Sequence, residues 1–376
     1  MEIQTALREI NEAAARRPEG VVFAPIVMEG DLEAGALAKV APYLKARGYA
    51  SVGLVADANT WTAAGERLSE SLREAGIAHA VCRVKPDGQG DVIADERTIV
   101  QVMLETPKEA RALLAVGSGT IHDVVRFVCA QTDRAFVSVP TAASVDGFTS
   151  VGAPIITGGF KQTVPAIAPE AIFADLDVLA AAPRRMTAAG FGDMLGKFTS
   201  LADWRFSAEQ AGEPFCPLAY ELTEQALTRC LEAVDEIATG SARGVEVLME
   251  ALLLSGWSML LVGHSRPASG GEHHLSHHWE MAYLAEGRRQ LLHGAKVGVA
   301  AVMLARLYRE RLAGAYPDVF GGLPDADRLR TWLRQAGGPS DPDDIGLTEA
   351  LIGESLREAY RLRDRYTGLK HLALNA

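Results

Sequence analysis

The 376-residue chain has little cysteine and no excess of positive charge, and its longest uninterrupted apolar stretch, within Ala251 to Val262, is too short to cross a bilayer. Its four cysteines form no CxxC pair and predict no disulfide framework, as is typical of a reduced protein. The net charge of −11 argues against nucleic acid or an anionic membrane as a general partner, so an anionic substrate would need a local cluster of cations. The first residues lack an apolar signal core. We therefore expect a cytoplasmic protein without membrane insertion.

The order of predicted elements indicates two domains. With 48% apolar and 23% charged residues, the composition is that of a globular protein, and its length favours more than one core. Residues 1–177 alternate strand-like runs with helical stretches, which predicts an α/β domain around a parallel nucleotide-binding sheet. Residues 178–376 carry only helical periodicity and predict an all-α domain. Within these domains we expect helices over 32–46 and 186–209, and a ligand-facing loop over 141–164.

Histidine is concentrated in one segment, in which Glu272 is followed by His273, His274, His277 and His278. On a helix, His273 and His277 form one four-spaced pair, and His274 and His278 form another, rotated by about 100°. Only one pair can face a given site, and the spacing does not say which. Further on, His293 lies in a Leu-His-Gly turn.

A carboxylate upstream completes a possible metal site. Asp193 and Lys197 lie four residues apart, which on a helix surface would usually be an ion pair. The small and apolar neighbours between 188 and 194 favour a packed interior instead. One carboxylate and two imidazoles are ligands that suit a catalytic divalent metal with an open coordination position.

Two segments of the first half are candidate ligand loops. Gly117 and Gly119 follow a strand and precede a helix whose amino terminus suits a pyrophosphate, but His122 replaces the third glycine of a GxGxxG motif, so an ordinary strand-to-helix turn is an equal alternative. Asp57 could bind a ribose or cap a helix. The run from Pro140 to Ser150 could hold a nucleotide, and Asp146 a polar substrate, or the run could be a solvated turn.

The motifs GSGTIHD, SVPTAASVDGFTS, GFGDMLGK, RPASGGEHHLSHHWE and LHGAKVG occur in this order. Together they resemble the glycerol-1-phosphate dehydrogenase family, particularly its bacterial AraM-type branch, from about Asp57 to Lys296. Wider relatives are glycerol dehydrogenase, iron-containing alcohol dehydrogenases and dehydroquinate synthase. The resemblance implies a dehydroquinate synthase-like fold and a metal-dependent, NAD(H)-linked interconversion of dihydroxyacetone phosphate and sn-glycerol 1-phosphate. Alternatives are a glycerol or other polyol dehydrogenase, a dehydroquinate synthase-like lyase, and a non-catalytic regulator.

The resemblance also implies roles for individual residues. Asp193, His273 and His293 would bind the metal, with His274 as the alternative ligand to His273. Asp193 and His277 would be catalytic, His277 relaying a proton, and both would contact the substrate together with Asp146. Residues expected to bind the cofactor are Asp57, Gly119, Thr120, Ile121, His122, Asp123, Thr141, Ala142, Ala143, Ser144 and Ser150.

Cofactor and partner expectations complete the prediction. The ligand set accepts Zn²⁺, Ni²⁺ or Fe²⁺. Asp57 favours NADH over NADPH, because a carboxylate would repel a 2′-phosphate. Cations considered for the substrate phosphate are Lys161, Arg266 and Lys197, with simple solvation favoured for the first two. The apolar helices of the second half suggest a homodimer or a higher homo-oligomer.

Overall fold

The computed structural model describes residues 2–375, which form two compact units. The first unit takes in the start of the chain as far as Ala13, followed by Pro25–Ala143 and Gly147–Pro183. The second takes in Ala14–Ala24, Ser144–Asp146 and the chain from Arg184 onward. The sequence-based domain boundary at 177/178 thus falls within the helix Leu176–Ala180, shortly before Pro183. It also did not anticipate the two short segments that belong to the second unit.

The first unit contains a six-stranded parallel sheet with the strand order β1-β8-β5-β4-β2-β3. Strand β4 is buried at every position, and the apolar side chains on the two faces of the sheet belong to two separate core clusters, as a parallel sheet covered on both sides requires. The strands of this sheet are β1 Glu29–Glu33, β2 Ser51–Ala56, β3 Ala78–Arg83, β4 Ala112–Gly117, β5 Ala135–Pro140 and β8 Ala171–Asp175. The predicted parallel α/β architecture is confirmed.

The helices of the first unit follow its strands. Its α-helices are α1 Ile3–Arg16, which continues into the second unit, α2 Val40–Ala46, α3 Ala58–Thr60, α4 Glu66–Glu74, α5 Glu96–Glu105, α6 Gly119–Thr132 and α7 Leu176–Ala180. A π-helical segment, Trp61–Gly65, joins α3 to α4, and short 3₁₀ helices cover Ala36–Lys39 and Gly147–Thr149.

Two local predictions in the first unit were wrong. The helix expected over 32–46 is shorter, because β1 runs to Glu33 and Gly35 takes a left-handed conformation before the helical turns begin. The loop expected over 141–164 contains an antiparallel hairpin, β6 Gly152–Thr157 and β7 Phe160–Pro165. Its turn residues Gly158 and Gly159 both have positive φ, the conformation of a tight two-residue hairpin turn.

The second unit is helical after Arg184, as predicted. Its α-helices are α8 Arg184–Leu195, α9 Lys197–Ala211, α10 Pro217–Glu232, α11 Val234–Thr239, α12 Ala242–Val262, α13 Gly271–Ala285, α14 His293–Arg311, α15 Pro317–Phe320, α16 Ala326–Gln335, α17 Glu349–Glu358 and α18 Gly368–Leu374. Short 3₁₀ helices cover Pro342–Ile345 and Ala359–Leu362. The single helix expected over 186–209 is two helices, which separate at Gly196.

Helix α12 is the core helix of this unit. Its 21 residues are long and apolar enough to cross a membrane by length and composition, but 89% of the most apolar window is buried by other parts of the protein. A helix that is apolar on all sides and covered in this way belongs to a protein core. The fold class predicted from the sequence, an α/β region followed by an all-helical region, is therefore confirmed.

Candidate metal and substrate site

Three side chains from three helices of the second unit converge on one point. Asp193 comes from the last turn of α8, His273 from the first turn of α13 and His293 from the start of α14. Their ligand atoms all lie within 4.8 Å of one another, with 3.3 Å between the Nε2 atoms of the two histidines and 3.8 Å from His273 Nε2 to Asp193 Oδ1. Bonds of about 2.0–2.1 Å to a tetrahedral metal would place neighbouring ligand atoms roughly 3.3 Å apart. The geometry therefore suits a small divalent cation.

Glycines bring the three helices close enough for this convergence. A Cβ on Gly192 would overlap the carbonyl oxygen of Gly294, and a Cβ on Gly294 would overlap that of Ala189. Helices α8 and α14 thus pack backbone to backbone beside their ligands Asp193 and His293. This explains why the GFGD and LHG motifs carry glycine next to the functional residue.

Glu272 orients the first histidine. One carboxylate oxygen of Glu272 lies 2.7 Å from His273 Nδ1, and the other accepts a hydrogen bond from Thr199 Oγ1 at 2.7 Å. Because a carboxylate only accepts, the ring proton of His273 belongs on Nδ1, and the lone pair of Nε2 points toward Asp193 and His293. Burial, with the neighbouring His293, lowers the pKa of His273 well below its ordinary value. The ring is therefore neutral, the state that a metal ligand requires.

Asp193 belongs to a buried network of charges. Its Oδ2 accepts from the backbone N–H of Asp146 at 3.0 Å, and its Oδ1 lies 3.3 Å from Lys197 Nζ. The same ammonium lies 2.7 Å from Asp146 Oδ2, which also accepts from Ser255 Oγ at 2.8 Å. Burial alone would lower the pKa of Lys197, but the charges of Asp146 and Asp193 outweigh it and raise that pKa. One ammonium among two carboxylates leaves a negative balance, which favours a cation.

His277 lies one turn after His273 on the same face of α13. Its ring centre is 6.3 Å from that of His273 and 6.0 Å from that of His293. Arg363 Nη2 lies 3.2 Å from His277 Nδ1, and because a guanidinium only donates, the ring proton of His277 belongs on Nε2. The ring of His277 thus lies beside the three converging side chains, with its proton on Nε2.

The other two histidines of the segment lie elsewhere. His274 is fully buried, and neither of its ring nitrogens has a hydrogen-bond partner in the described part of the chain. His278 Nε2 lies 3.4 Å from the half-exposed carboxylate of Glu354. The residue that joins Asp193 and His293 is therefore His273, not the alternative ligand His274.

In the first unit, the glycine turn after β4 carries the residues expected to hold a dinucleotide. Gly119, Thr120 and Asp123 are partly exposed at the start of α6, whereas the side chains of Ile121 and His122 are buried. His122 Nδ1 donates to Ser118 O at 2.9 Å, and its Nε2 lies 2.8 Å from Ser138 Oγ. Burial lowers the pKa of His122 to about 3, so the ring is neutral. In this turn, Ile121 and His122 offer only backbone to a ligand.

Other expected cofactor residues have local structural roles as well. Asp57 directly follows β2 and caps the next helix, accepting from Thr60 N at 2.8 Å while Thr60 Oγ1 accepts from Asp57 N. Thr141, Ala142 and Ala143 directly follow β5 and are buried. In the second unit, the buried hydroxyl of Ser144 has no hydrogen-bond partner among residues 2–375, so it is available to a ligand.

A buried arginine supports the loop that follows Asp146. Arg126, from α6, donates to the carbonyl oxygens of Phe148 and Gly152 at 3.0 and 2.7 Å and to Ser150 Oγ at 3.1 Å. Ser150, expected to bind the cofactor, is therefore positioned by this guanidinium. No local pattern in the sequence marked Arg126, because its partners lie more than twenty residues away along the chain.

Comparisons with known proteins show the family of this chain. Residues 31–183 match the family model of iron-containing alcohol dehydrogenases. A glycerol-1-phosphate dehydrogenase [NAD(P)+] of Geobacillus stearothermophilus is 47% identical over 363 residues, 90% of each chain. One of Bacillus subtilis (strain 168) is 48% identical over 87% of this chain and 86% of its own length.

This chain belongs to the glycerol-1-phosphate dehydrogenase family. Its fold is also that of a probable glycerol dehydrogenase from Sinorhizobium meliloti 1021, with a TM-score of 0.71 at 20% identity over 92% of this chain and 94% of the other. The family resemblance seen in the five sequence motifs is thus confirmed.

Several residues that support the site lie outside the motifs that indicated the family. Thr199 holds the carboxylate that orients His273, and Arg363 contacts His277. Neither belongs to a motif with chemical meaning of its own. Glu272 could be noticed in the sequence, because it directly precedes the histidine ligand. Its contact with His273 Nδ1 could be seen only in the structure.

Proposed function

We propose that this chain is a metal-dependent, NAD(P)(H)-linked oxidoreductase that interconverts dihydroxyacetone phosphate and sn-glycerol 1-phosphate. The single observation that carries the proposal is the convergence of Asp193 Oδ1 with the Nε2 atoms of His273 and His293, in a chain of this family. Two imidazoles and a carboxylate leave a coordination position for a substrate oxygen. We further propose that the protein acts in the cytoplasm as a homo-oligomer.

The residues at the site would have different roles in the reaction. A divalent ion held by Asp193, His273 and His293 would act as a Lewis acid on the secondary oxygen of the substrate. His277 would give a proton to that oxygen during ketone reduction and take it back during alcohol oxidation, since its ring lies about 6 Å from the rings of His273 and His293. Asp146, held by Lys197 and Ser255, is suited to accept a substrate hydroxyl.

The dinucleotide would supply or accept the hydride, and residues of the first unit suit its binding. The partly exposed turn Gly119–Asp123 offers backbone N–H groups at the amino end of α6 to a pyrophosphate. Asp57 lies at the carboxyl end of β2, where a carboxylate can accept from a ribose and disfavours a 2′-phosphate. Thr141–Ser144 and Ser150 would hold the nicotinamide.

The test is a coupled assay. Purified protein is stripped with a chelator, reloaded separately with Zn²⁺, Ni²⁺ or Fe²⁺, and assayed for NADH and NADPH oxidation with dihydroxyacetone phosphate, and the chirality of the product is determined. We expect metal-dependent formation of sn-glycerol 1-phosphate, faster with NADH. No consumption of either nucleotide after metal reloading would contradict the proposal, and release of inorganic phosphate from a keto-acid phosphate without net redox would instead indicate a lyase.

A further inference from the structure

A phosphorylated substrate, as the proposed function requires, needs a cation close to the metal site. None of the three cations considered from the sequence is well placed for this role. Lys197 lies between Asp146 and Asp193, and Arg266 forms a 2.6 Å ion pair with Glu213. Lys161 lies on the hairpin strand β7 of the first unit.

Two further arginines reach the site from the segment that follows the 3₁₀ helix Ala359–Leu362. Arg363 donates from Nη1 to Ser269 Oγ at 2.8 Å, and its Nη2 lies 3.2 Å from His277 Nδ1. Arg365 donates to the carbonyl oxygen of Ser269 and to Ser265 Oγ at 3.0 Å. Both guanidinium groups therefore border the loop that precedes α13, but only Arg363 also contacts a side chain expected to meet the substrate.

The electrostatics of this pair favour an anion. Burial lowers the pKa of Arg363 to about 10. Burial, followed by the positive charges of Arg363 and Arg266, lowers that of Arg365 to about 9. Glu272 acts on both charges, but its carboxylate already accepts from Thr199, Gly270 and His273. Positive charges are thus close together in a protein whose net charge is −11. They form the local cluster of cations that an anionic substrate needs.

Arg363 is placed to contact the substrate phosphate, which is bonded through oxygen to the carbon next to the reacting one. Its guanidinium touches His277, whose ring lies about 6 Å from the rings of both metal-binding candidates, His273 and His293. Only one imidazole therefore separates the guanidinium from the proposed metal. A guanidinium has five N–H donors in a planar fork, a geometry that matches phosphate oxygens.

We propose that Arg363 binds the substrate phosphate and so makes this site select a phosphorylated triose over its unphosphorylated analogue. Arg365 serves a different purpose, since it holds the loop from Ser265 to Ser269 against which the Arg363 side chain rests. The inference rests on the proposed function and extends it, because it names the residue that distinguishes this reaction from that of an ordinary polyol dehydrogenase.

The test compares two substrates in Arg363→Gln. Initial rates are measured with NADH and either dihydroxyacetone phosphate or dihydroxyacetone, in the metal-loaded enzyme. We expect kcat/KM for dihydroxyacetone phosphate, divided by kcat/KM for dihydroxyacetone, to fall on the order of 10- to 100-fold. The main cause would be a higher KM for the phosphorylated substrate, because charge-assisted hydrogen bonds to phosphate are lost. Inorganic phosphate should inhibit dihydroxyacetone reduction competitively in the unmodified enzyme and much more weakly in the variant.

Controls separate this role from a structural one. Arg361→Gln removes a nearby exposed arginine that pairs with Glu358, and it should leave the substrate ratio unchanged. If Arg363→Gln does not fold, Arg363→Lys replaces it, and we expect a smaller fall in the same ratio because an ammonium keeps the charge but loses the fork.

The outcomes distinguish the two proposals. An unmodified enzyme that consumes no nucleotide with dihydroxyacetone phosphate would overturn the proposed function itself. An unmodified enzyme that is active, combined with an unchanged substrate ratio in the folded Arg363 variants, would overturn only the role of Arg363. A parallel fall with both substrates would also overturn it, since Arg363 would then only position His277.

Discussion

Two pairs of histidines occupy neighbouring faces of helix α13, and their surroundings differ completely. His273 and His277 face a carboxylate, a third histidine and an arginine. His274 is enclosed without a hydrogen-bond partner in the described structure, and His278 reaches a surface glutamate. All four have the same intrinsic chemistry, so the difference comes from what other helices bring to each face. A histidine motif becomes a site only where ligands from other elements converge on it.

Removing His273 should have the largest effect on this comparison. In His273→Ala we expect the metal content per chain to fall sharply and kcat/KM to fall roughly a thousand-fold, because the Lewis acid contributes several kcal/mol to catalysis. Metal analysis and NADH-coupled rates measure both. His278→Ala, the surface member of the other pair, is the matched control, and a similar loss in that variant would break the distinction between the two faces.

Removing His277 should separate proton transfer from metal binding. In His277→Phe we expect activity to fall about 10²- to 10⁴-fold, as for the loss of a general acid, while the metal content stays that of the unmodified protein. The measurement combines steady-state rates with metal analysis. Loss of the metal together with activity would instead make His277 a ligand.

Glu272 should have an intermediate effect, because it acts through His273. Glu272→Gln replaces the acceptor of the His273 Nδ1 proton by an amide of the same shape, and we expect the metal to bind about 10- to 100-fold more weakly. Competition with a chelator of known affinity measures this change. Metal affinity equal to that of the unmodified protein would show that the orientation of His273 does not depend on Glu272.

His274→Leu should have the smallest effect on function and a defined effect on stability. We expect metal content and activity to change by no more than about three-fold, since the ring makes no hydrogen bond in the described structure and replacing an unsatisfied polar group by an apolar one is nearly neutral. A loss of metal comparable to that of His273→Ala would contradict this assignment.

The same variant has a predictable pH dependence. Burial, with the nearby Arg363, lowers the pKa of His274 well below its ordinary value of 6.5 in the folded protein. Below about pH 6.5 the unfolded chain therefore binds a proton that the folded chain excludes, and folding stability falls as pH falls, by at most about 1.4 kcal/mol per pH unit. His274→Leu does not lose stability in this way. The difference between its free energy of unfolding and that of the unmodified, metal-free protein should therefore increase as the pH falls from about 7 to about 5. Denaturant titrations measure the difference, which would be independent of pH if the ring had the same pKa in the folded and unfolded chain.

Much of the architecture could be predicted from local sequence patterns. The alternating strands and helices of the first half and the helical second half follow from periodicity, and the motifs around Asp193, Glu272 and His293 lie where the three helices meet. The β6–β7 hairpin was missed because its Ser-, Thr- and Gly-rich surroundings are typical of a loop. Its tight turn depends on two successive glycines with positive φ, which gave no strand signal.

Contacts between distant residues could not be predicted in this way. The choice between His273 and His274 depends on which face of α13 meets Asp193 and His293, and a one-residue rotation of the helix would reverse it. Arg363 contacts His277 across 86 residues of sequence, and it comes from an irregular segment with no motif. Such contacts depend on tertiary packing, which periodicity and spacing do not encode.

The central claim is that Asp193, His273 and His293 bind one divalent ion. The most direct measurement is anomalous diffraction at the metal edge from crystals loaded with Zn²⁺ or Ni²⁺. We predict one strong peak per chain, about 2 Å from Asp193 Oδ1 and from the Nε2 atoms of His273 and His293. A peak at His274 or His278, or no bound metal under conditions that support activity, would contradict the account.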